Sequence, residues 1–227
     1  IDELTRALES NLEISAFSAR SIGTGMLATA RGARGIRIYG IDQKSEGLVT
    51  KLNEKIIEGE YFSDRGKNQI LISDDLADKL KLNLRKKVVL TFQNAEGDII
   101  SAAFRIVGLF DTKNTPVDMS QVYVRRKDLN SLLGLPKNEV HEIAIKGVNI
   151  DQTENQVSFW KSKYPKLLIE SYKDLSPELE LFNSQLRLNL IIMTIIFMLA
   201  LIFGIINTML MAVLERIREF GMLLSIG

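Results

Sequence analysis

Two hydrophobic periods share the first three quarters of the chain. Residues 14–30 mix strand-forming and small side chains. In residues 34–41, apolar Ile36 and Ile38 alternate with Arg37 and Tyr39, as a half-buried strand does. Val88, Leu90 and Phe92 lie on one face of a strand and Lys87, Val89 and Thr91 on the other. After a turn at residues 94–97, Ile100, Ala102, Phe104 and Ile106 alternate back, which predicts a hairpin. Shorter runs at 70–73, 121–124, 140–146 and 167–171 predict four more strands. Helices are predicted over 2–9, over 46–57 with Leu48, Leu52 and Ile56 four residues apart, and over 152–163. A further helix carries Leu76, Ala77 and Leu80 behind a cap at Ser73 or Asp74. Another runs over 127–133 and ends at Gly134 and Pro136. Strands and helices do not alternate strictly, so the pattern predicts an α+β domain with a mixed sheet rather than a doubly wound one.

The pattern changes near Arg187. From Leu188 to Leu214 no residue is charged. As a helix this run reaches roughly 40 Å, longer than the ~30 Å hydrocarbon core of a bilayer, so it predicts a membrane span. Its position at the C-terminal side excludes a signal peptide. Ser176, Pro177 and Glu178 form a helix-start signal, and no proline follows Pro177, so one helix is expected from about 177 to 214. Leu175, Leu179, Phe182, Leu186 and Leu190 recur at heptad-like spacing along the part before the span. Either they pack on the chain's own soluble domain or they pair with another membrane helix, and the continuity of the stripe with the span favours pairing. The expected organisation is an extracytoplasmic domain over 1–173, a stalk helix over 174–189, a transmembrane helix over 190–214 and a coupling segment over 215–227.

Composition sharpens this division. The 227 residues carry 29 basic and 28 acidic side chains, so there is no global field to attract nucleic acid. Only four of these charges, Glu215, Arg216, Arg218 and Glu219, lie beyond Arg187. The near-zero mean hydropathy therefore averages a charged domain with an apolar helix. Lys173 and Arg187 before the span balance Arg216 and Arg218 after it, so charge alone leaves the orientation open. The chain begins at Ile1 and ends at Gly227 in mid-pattern, as a fragment would.

Candidate chemistry is sparse. The absence of cysteine excludes disulfides, thiol catalysis and Cys-ligated metals. His141 is the single histidine and no HExxH follows from it; it reads as a surface or pocket-lining residue on a strand. Gly23-Thr24-Gly25 lacks the rest of a dinucleotide fingerprint, and there is no phosphate-cradling P-loop. Asp74 and Asp75 read as capping and solvated residues, and the span methionines as lipid-facing or packing residues. No enzyme activity, metal or cofactor is expected in this chain. After the span, Ile217, Phe220 and Leu224 are apolar beside the four charges. That pattern fits either a short interfacial helix or a simple juxtamembrane stop.

The stretch from Asn207 to Gly227, NTMLMAVLERIREFGMLLSIG, resembles the end of the second transmembrane helix of FtsX-like ABC-transporter permeases. That group includes MacB-type exporters and the LolC/LolE lipoprotein-releasing permeases. Its pattern there is N-x-M-L-x-[SA]-V-x-E-R-x-R-E-[FI]-G-x-L-x-A-[LIV]-G. The soluble part resembles the family's periplasmic core domain more weakly, through Gly59-Glu60-Tyr61-Phe62, residues 70–73 with 76–80, residues 104–110, and Asp118-Met119 before residues 122–124. Arg85 departs from the family, which usually has a glycine before the next strand, and leaves the local turn open.

The resemblance implies a four-helix permease of the bacterial inner membrane, with residues 1–187 mainly periplasmic and 215–227 cytoplasmic. It implies that Glu215, Arg216, Arg218, Glu219, Phe220 and Gly221 contact a partner ABC ATPase, which would hold the ATP and Mg. It also implies a second permease copy or paralogue, membrane lipid and a possible periplasmic partner, with no nucleic acid. The expected function is to couple ATP hydrolysis by that partner to substrate export or lipoprotein release. The alternative is a single-pass receptor or sensor ectodomain, and a membrane-tethered enzyme has no catalytic set to support it.

Overall fold

In the computed structural model, which describes residues 2–63, 66–136 and 138–224, the chain forms two compact units that divide between Gln152 and Thr153. The first unit opens with helix α1 (Asp2–Glu9), the long strand β1 (Ile14–Thr29) and β2 (Gly32–Ile41). Helix α2 (Gln43–Thr50), a 3-10 turn (Leu52–Lys55) and β3 (Ile56–Gly59) follow. Then come β4 (Gln69–Ser73), α3 (Asp74–Leu80), β5 (Lys87–Gln93) and β6 (Ile99–Phe110). The unit closes with α4 (Thr115–Asp118), β7 (Gln121–Arg125), α5 (Arg126–Leu133) and β8 (Glu142–Gly147).

The strand pairings close on themselves. The order runs β2-β7-β4-β6-β5-β1, and β1 pairs back onto β2. Within this ring β2–β7 and β4–β6 are parallel and the other pairs antiparallel, as the mixed-sheet reading requires. β1 is long enough to do two jobs. Its second half, from Ser21 onward, belongs to the ring, while its first half pairs with β8 as a two-stranded arm.

Closure creates an interior and removes most free edges. Ile36 and Ile38, Ile70 and Ile72, Phe104 and Ile106, and Val122 and Val124 fill the interior with Leu27 and Leu90. On β2, β7, β4 and β6 the alternate residues Tyr39, Ile41, Tyr123, Leu71 and Phe110 form a second cluster with Leu52 and Phe62. β4 is therefore buried on both faces, which explains its continuous apolar run. The tight packing also accounts for the lone GxG. A Cβ at Gly25 would run into the Thr91 carbonyl of β5, so this glycine serves strand packing.

Several expectations are met closely. The hairpin is β5 and β6 paired from Lys87↔Arg105 to Gln93↔Ile99, and β1 and β2 form another. Ser73 is the N-cap of α3, accepting from the Leu76 N–H, with Asp74 and Asp75 in the first turn. α5 ends with Gly134 in the left-handed conformation.

Others are corrected. The helix expected over 46–57 ends at Thr50, because Lys51 turns left-handed and Ile56 enters β3. Asp42 caps α2 by accepting from the Lys44 and Ser45 N–H groups, and the helix buries Glu46 while leaving Leu48 exposed. The strand expected over 167–171 does not form, since Ser171 instead caps a short helix. His141 precedes β8 rather than lying within it.

The second unit holds α6 (Thr153–Lys163), α7 (Tyr172–Leu175) and α8 (Pro177–Leu224). In α6, Trp160 stacks on Tyr164 with ring centroids 5.9 Å apart. In α7, Ser171 and Asp174 form a reciprocal capping box.

Candidate functional site

Helix α8 begins at Pro177, where proline's fixed φ suits the first helical position and its missing N–H costs nothing. It continues for 48 residues without a break, about 72 Å at 1.5 Å per residue. Within it, Gln185–Leu214 is long and apolar enough to cross a membrane, and every side chain in that span is exposed. Its hydroxyls are satisfied internally: Thr194 donates to the Leu190 carbonyl at 2.7 Å and Thr208 to the Gly204 carbonyl at 2.8 Å. This is how a helix carries threonine through hydrocarbon. Ala200, Gly204, Thr208 and Ala212 recur every fourth residue, and a Cβ built at Gly204 would meet open space.

The residues expected along the stalk divide between two helices. Leu175 ends α7, and Ser176, with φ −141°, separates it from α8. Phe182, Leu186 and Leu190 are on α8 and exposed, as is Leu175 on its own helix. Leu179 is also on α8, but its side chain lies outside the described residues.

The charged segment continues the same helix. Backbone positions 215–224 are helical, so the segment neither starts a new helix nor turns at Gly221. Arg216 and Ile217 are exposed. The side chains of Glu215, Arg218, Glu219 and Phe220, and position 221 beyond its helical backbone, lie outside the described residues.

Residue patterns did not reveal the polar joint in the first unit where β1 passes from the arm to the ring. Arg20 is the last β1 residue paired with β8, opposite Glu142, and Ser21 is the first paired with β2. The Arg20 guanidinium donates to both Glu46 carboxylate oxygens, at 2.9 and 2.6 Å, and to Glu142 at 3.1 Å. Burial disfavours the cation, but the hydrogen bonds and charge of Glu46, then those of Glu142, more than offset it and raise its pKa above the ordinary arginine value.

Neighbouring contacts reinforce the joint. The Ile22 N–H donates to His141 Nδ1 at 3.1 Å, and the His141 N–H donates to the Arg20 carbonyl at 3.0 Å. Arg126 donates to the Ala19 carbonyl at 3.1 Å, and Ser21 Oγ donates to Asn130 Oδ1. His141 is thus a strand-joint residue. Beside this joint, burial pushes the Tyr61 and Tyr123 hydroxyls well up, so both remain neutral phenols. A signal was present in the sequence only as an isolated glutamate among the residues of α2, which no periodicity marks as buried.

No family model matches the chain, and no curated protein does. Solved structures do. The extracellular domain of the noncanonic ABC-type transporter YknZ from Gram-positive bacteria superposes with a TM-score of 0.53 at 17% identity, covering 75% of this chain and 88% of that one. The periplasmic region of MacB from Actinobacillus actinomycetemcomitans superposes with a TM-score of 0.51 at 16% identity, covering 77% and 80%. The chain therefore shares the α+β fold of these two extracytoplasmic domains, and in this chain a long apolar helix follows at the C-terminal side.

Proposed function

We propose that the chain is part of the permease subunit of an ABC transporter, linking ATP hydrolysis by a partner subunit to work outside the cytoplasm. The observation that carries this reading is the unbroken helix α8, which joins an apolar span to the Glu215–Arg216–Ile217–Arg218–Glu219 segment with no hinge between them. A helix with no loop and no proline beyond its first position resists bending over several turns, so displacement at one end is delivered to the other. The likeness of fold to the MacB and YknZ domains supports the same reading.

On this reading residues 1–187 face the outside of a bacterial inner membrane and 215–227 face the cytoplasm. The charged segment with Phe220 and Gly221 meets the ATPase, which holds the nucleotide and Mg. The exposed Phe182, Leu186 and Leu190, and the small-residue face centred on Gly204, pair with helices of the same subunit or of a second permease copy. The polar joint at Arg20 makes the arm and the ring move as one body. Substrate export and lipoprotein release are both compatible with this transmission of motion.

The test is to exchange charges in the full-length protein, Glu215→Arg with Arg218→Glu, and to measure ATP hydrolysis and transport by the complex with its ATPase. Loss of coupling, with membrane insertion and assembly of the outer domain intact, is the expected result. Unchanged hydrolysis and transport would remove the charged segment from the coupling path.

A further inference from the structure

A cluster of unpaired cations lies in the first unit, at the start of β5. From residue 79 to residue 95 the chain carries Lys79, Lys81, Arg85, Lys86 and Lys87 and no acidic residue. Lys87 pairs directly with Arg105 of β6, so two like charges face each other on the outer surface of the sheet, where such pairs are destabilising. Next to them the Arg85 N–H donates to the Ile106 carbonyl at 2.9 Å, and the Ile106 N–H donates to the Lys86 carbonyl at 3.0 Å. Arg85 and Lys86 therefore both oppose Ile106, as in a β-bulge whose left-handed position is usually glycine. Here that position is Arg85, with φ +66°.

The fold thus carries two unfavourable features within a few residues, a left-handed arginine and a like-charge pair. Neither is compensated by an ion pair among the described residues. Arg85, Lys86, Lys87 and Arg105 are all exposed, and among the described residues none of them forms an ion pair. Lys86 reaches only Asn83, at 3.4 Å. β3, with Glu58, continues the same edge of β6 beyond the bulge, and Glu60 follows it, yet neither carboxylate pairs with these cations. Along both strands the outward residues that follow, Val89 and Thr91 on β5 and Ala103 and Ser101 on β6, are uncharged and mostly small. Local violations that gain nothing within a fold mark places used for something else.

We infer that Lys87 and Arg105, with Arg85 at the bulge beside them, form a surface site for a ligand carrying several closely spaced phosphate groups. The surface is open, and a lone exposed charge pair is held weakly against solvent, so a single anion does not suffice. Arginine forks and a lysine point charge on adjacent strands suit phosphate oxygens presented in a row. This inference concerns the first unit alone and stands independently of the transport reading.

The experiment uses the whole chain purified in a neutral detergent at low salt. Three probes separate the sources of anion: inorganic tripolyphosphate, micelles rich in phosphatidylglycerol as a surface of closely spaced lipid headgroups, and hexaglutamate as an acidic peptide. Binding of a phosphate probe is expected, weakened about tenfold or more by Lys87→Gln with Arg105→Gln and by rising salt. The probe that binds identifies whether the source is a soluble phosphate chain or a headgroup. The control Lys44→Gln with Lys127→Gln makes the same change in net charge elsewhere and leaves affinity within about twofold. Retained thermal melting of both variants shows that folding is unaffected. The inference is overturned if neither phosphate probe binds, if hexaglutamate binds as tightly, or if the control pair weakens binding equally.

Discussion

Arg20 and Glu46 meet as a two-pronged ion pair, with the carboxylate fully buried and the guanidinium partly so. They join β1 to α2 at the point where β1 leaves the two-stranded arm and enters the ring. An ion pair in this setting is expensive to break from one side, because the remaining charge stays buried. Glu46→Leu alone is expected to destabilise the first unit by about 3–5 kcal/mol. Arg20→Met combined with Glu46→Leu is expected to recover most of that loss. Chemical denaturation of the two variants checks this, and a double variant as unstable as the single one would show that the pair is not the source.

Arg85 holds a left-handed backbone that glycine adopts freely. Arg85→Gly removes roughly 1–2 kcal/mol of strain and gives back roughly 0.5–1 kcal/mol in unfolded-chain entropy. A small net gain in melting temperature is therefore expected. Arg85→Ala keeps the strain and gains nothing. A thermal melt in which alanine stabilises as much as glycine would assign the effect to charge rather than to backbone.

Tyr61 Oη is buried with no hydrogen-bond partner among the described residues. Removing an unsatisfied hydroxyl loses no bond and restores apolar packing beside Phe62. Tyr61→Phe is expected to leave stability unchanged or to raise it by up to about 1 kcal/mol. A substantial loss in a denaturation curve would reveal a partner for the hydroxyl.

The capping box of α7 predicts a local response to acid. The Ser171 N–H and then its hydroxyl hold the Asp174 carboxyl below its ordinary value. A carboxylate depressed in the folded state stabilises above its unfolded pKa of about 3.9 and loses that contribution as pH falls through the lower folded value. Hydrogen exchange at residues 172–176 should therefore accelerate, relative to the rest of the chain, below about pH 4. Asp174→Asn should abolish the pH dependence and leave the fraying present at all pH values.

Strand and helix content was legible wherever one face of an element is buried against a single layer. The alternation in β5 and β6, the cap at Ser73 and the left-handed Gly134 after α5 are local features, and each follows from the residues that form it. The apolar run was legible for a similar reason, since its length and lack of charge concern one helix and its solvent. Residues 46–57 misled because Leu48, Leu52 and Ile56 have helical spacing, whereas the inward face of α2 is chosen by Glu46 seeking a guanidinium on another element. Residues 167–171 misled because apolar runs this short are settled by their neighbours, and Ser171 is held as a cap.

By itself the sequence determined that a charged α+β domain precedes one long apolar helix with a charged end, because periodicity, capping and charge act over a few residues. Only the tertiary structure decided that the strands close into a ring, that β1 serves both ring and arm, that Arg20 and Glu46 pair, and that Lys87 and Arg105 stand side by side. Those outcomes depend on contacts between residues far apart in the chain, and no local pattern encodes which distant partner a strand or a buried charge will meet.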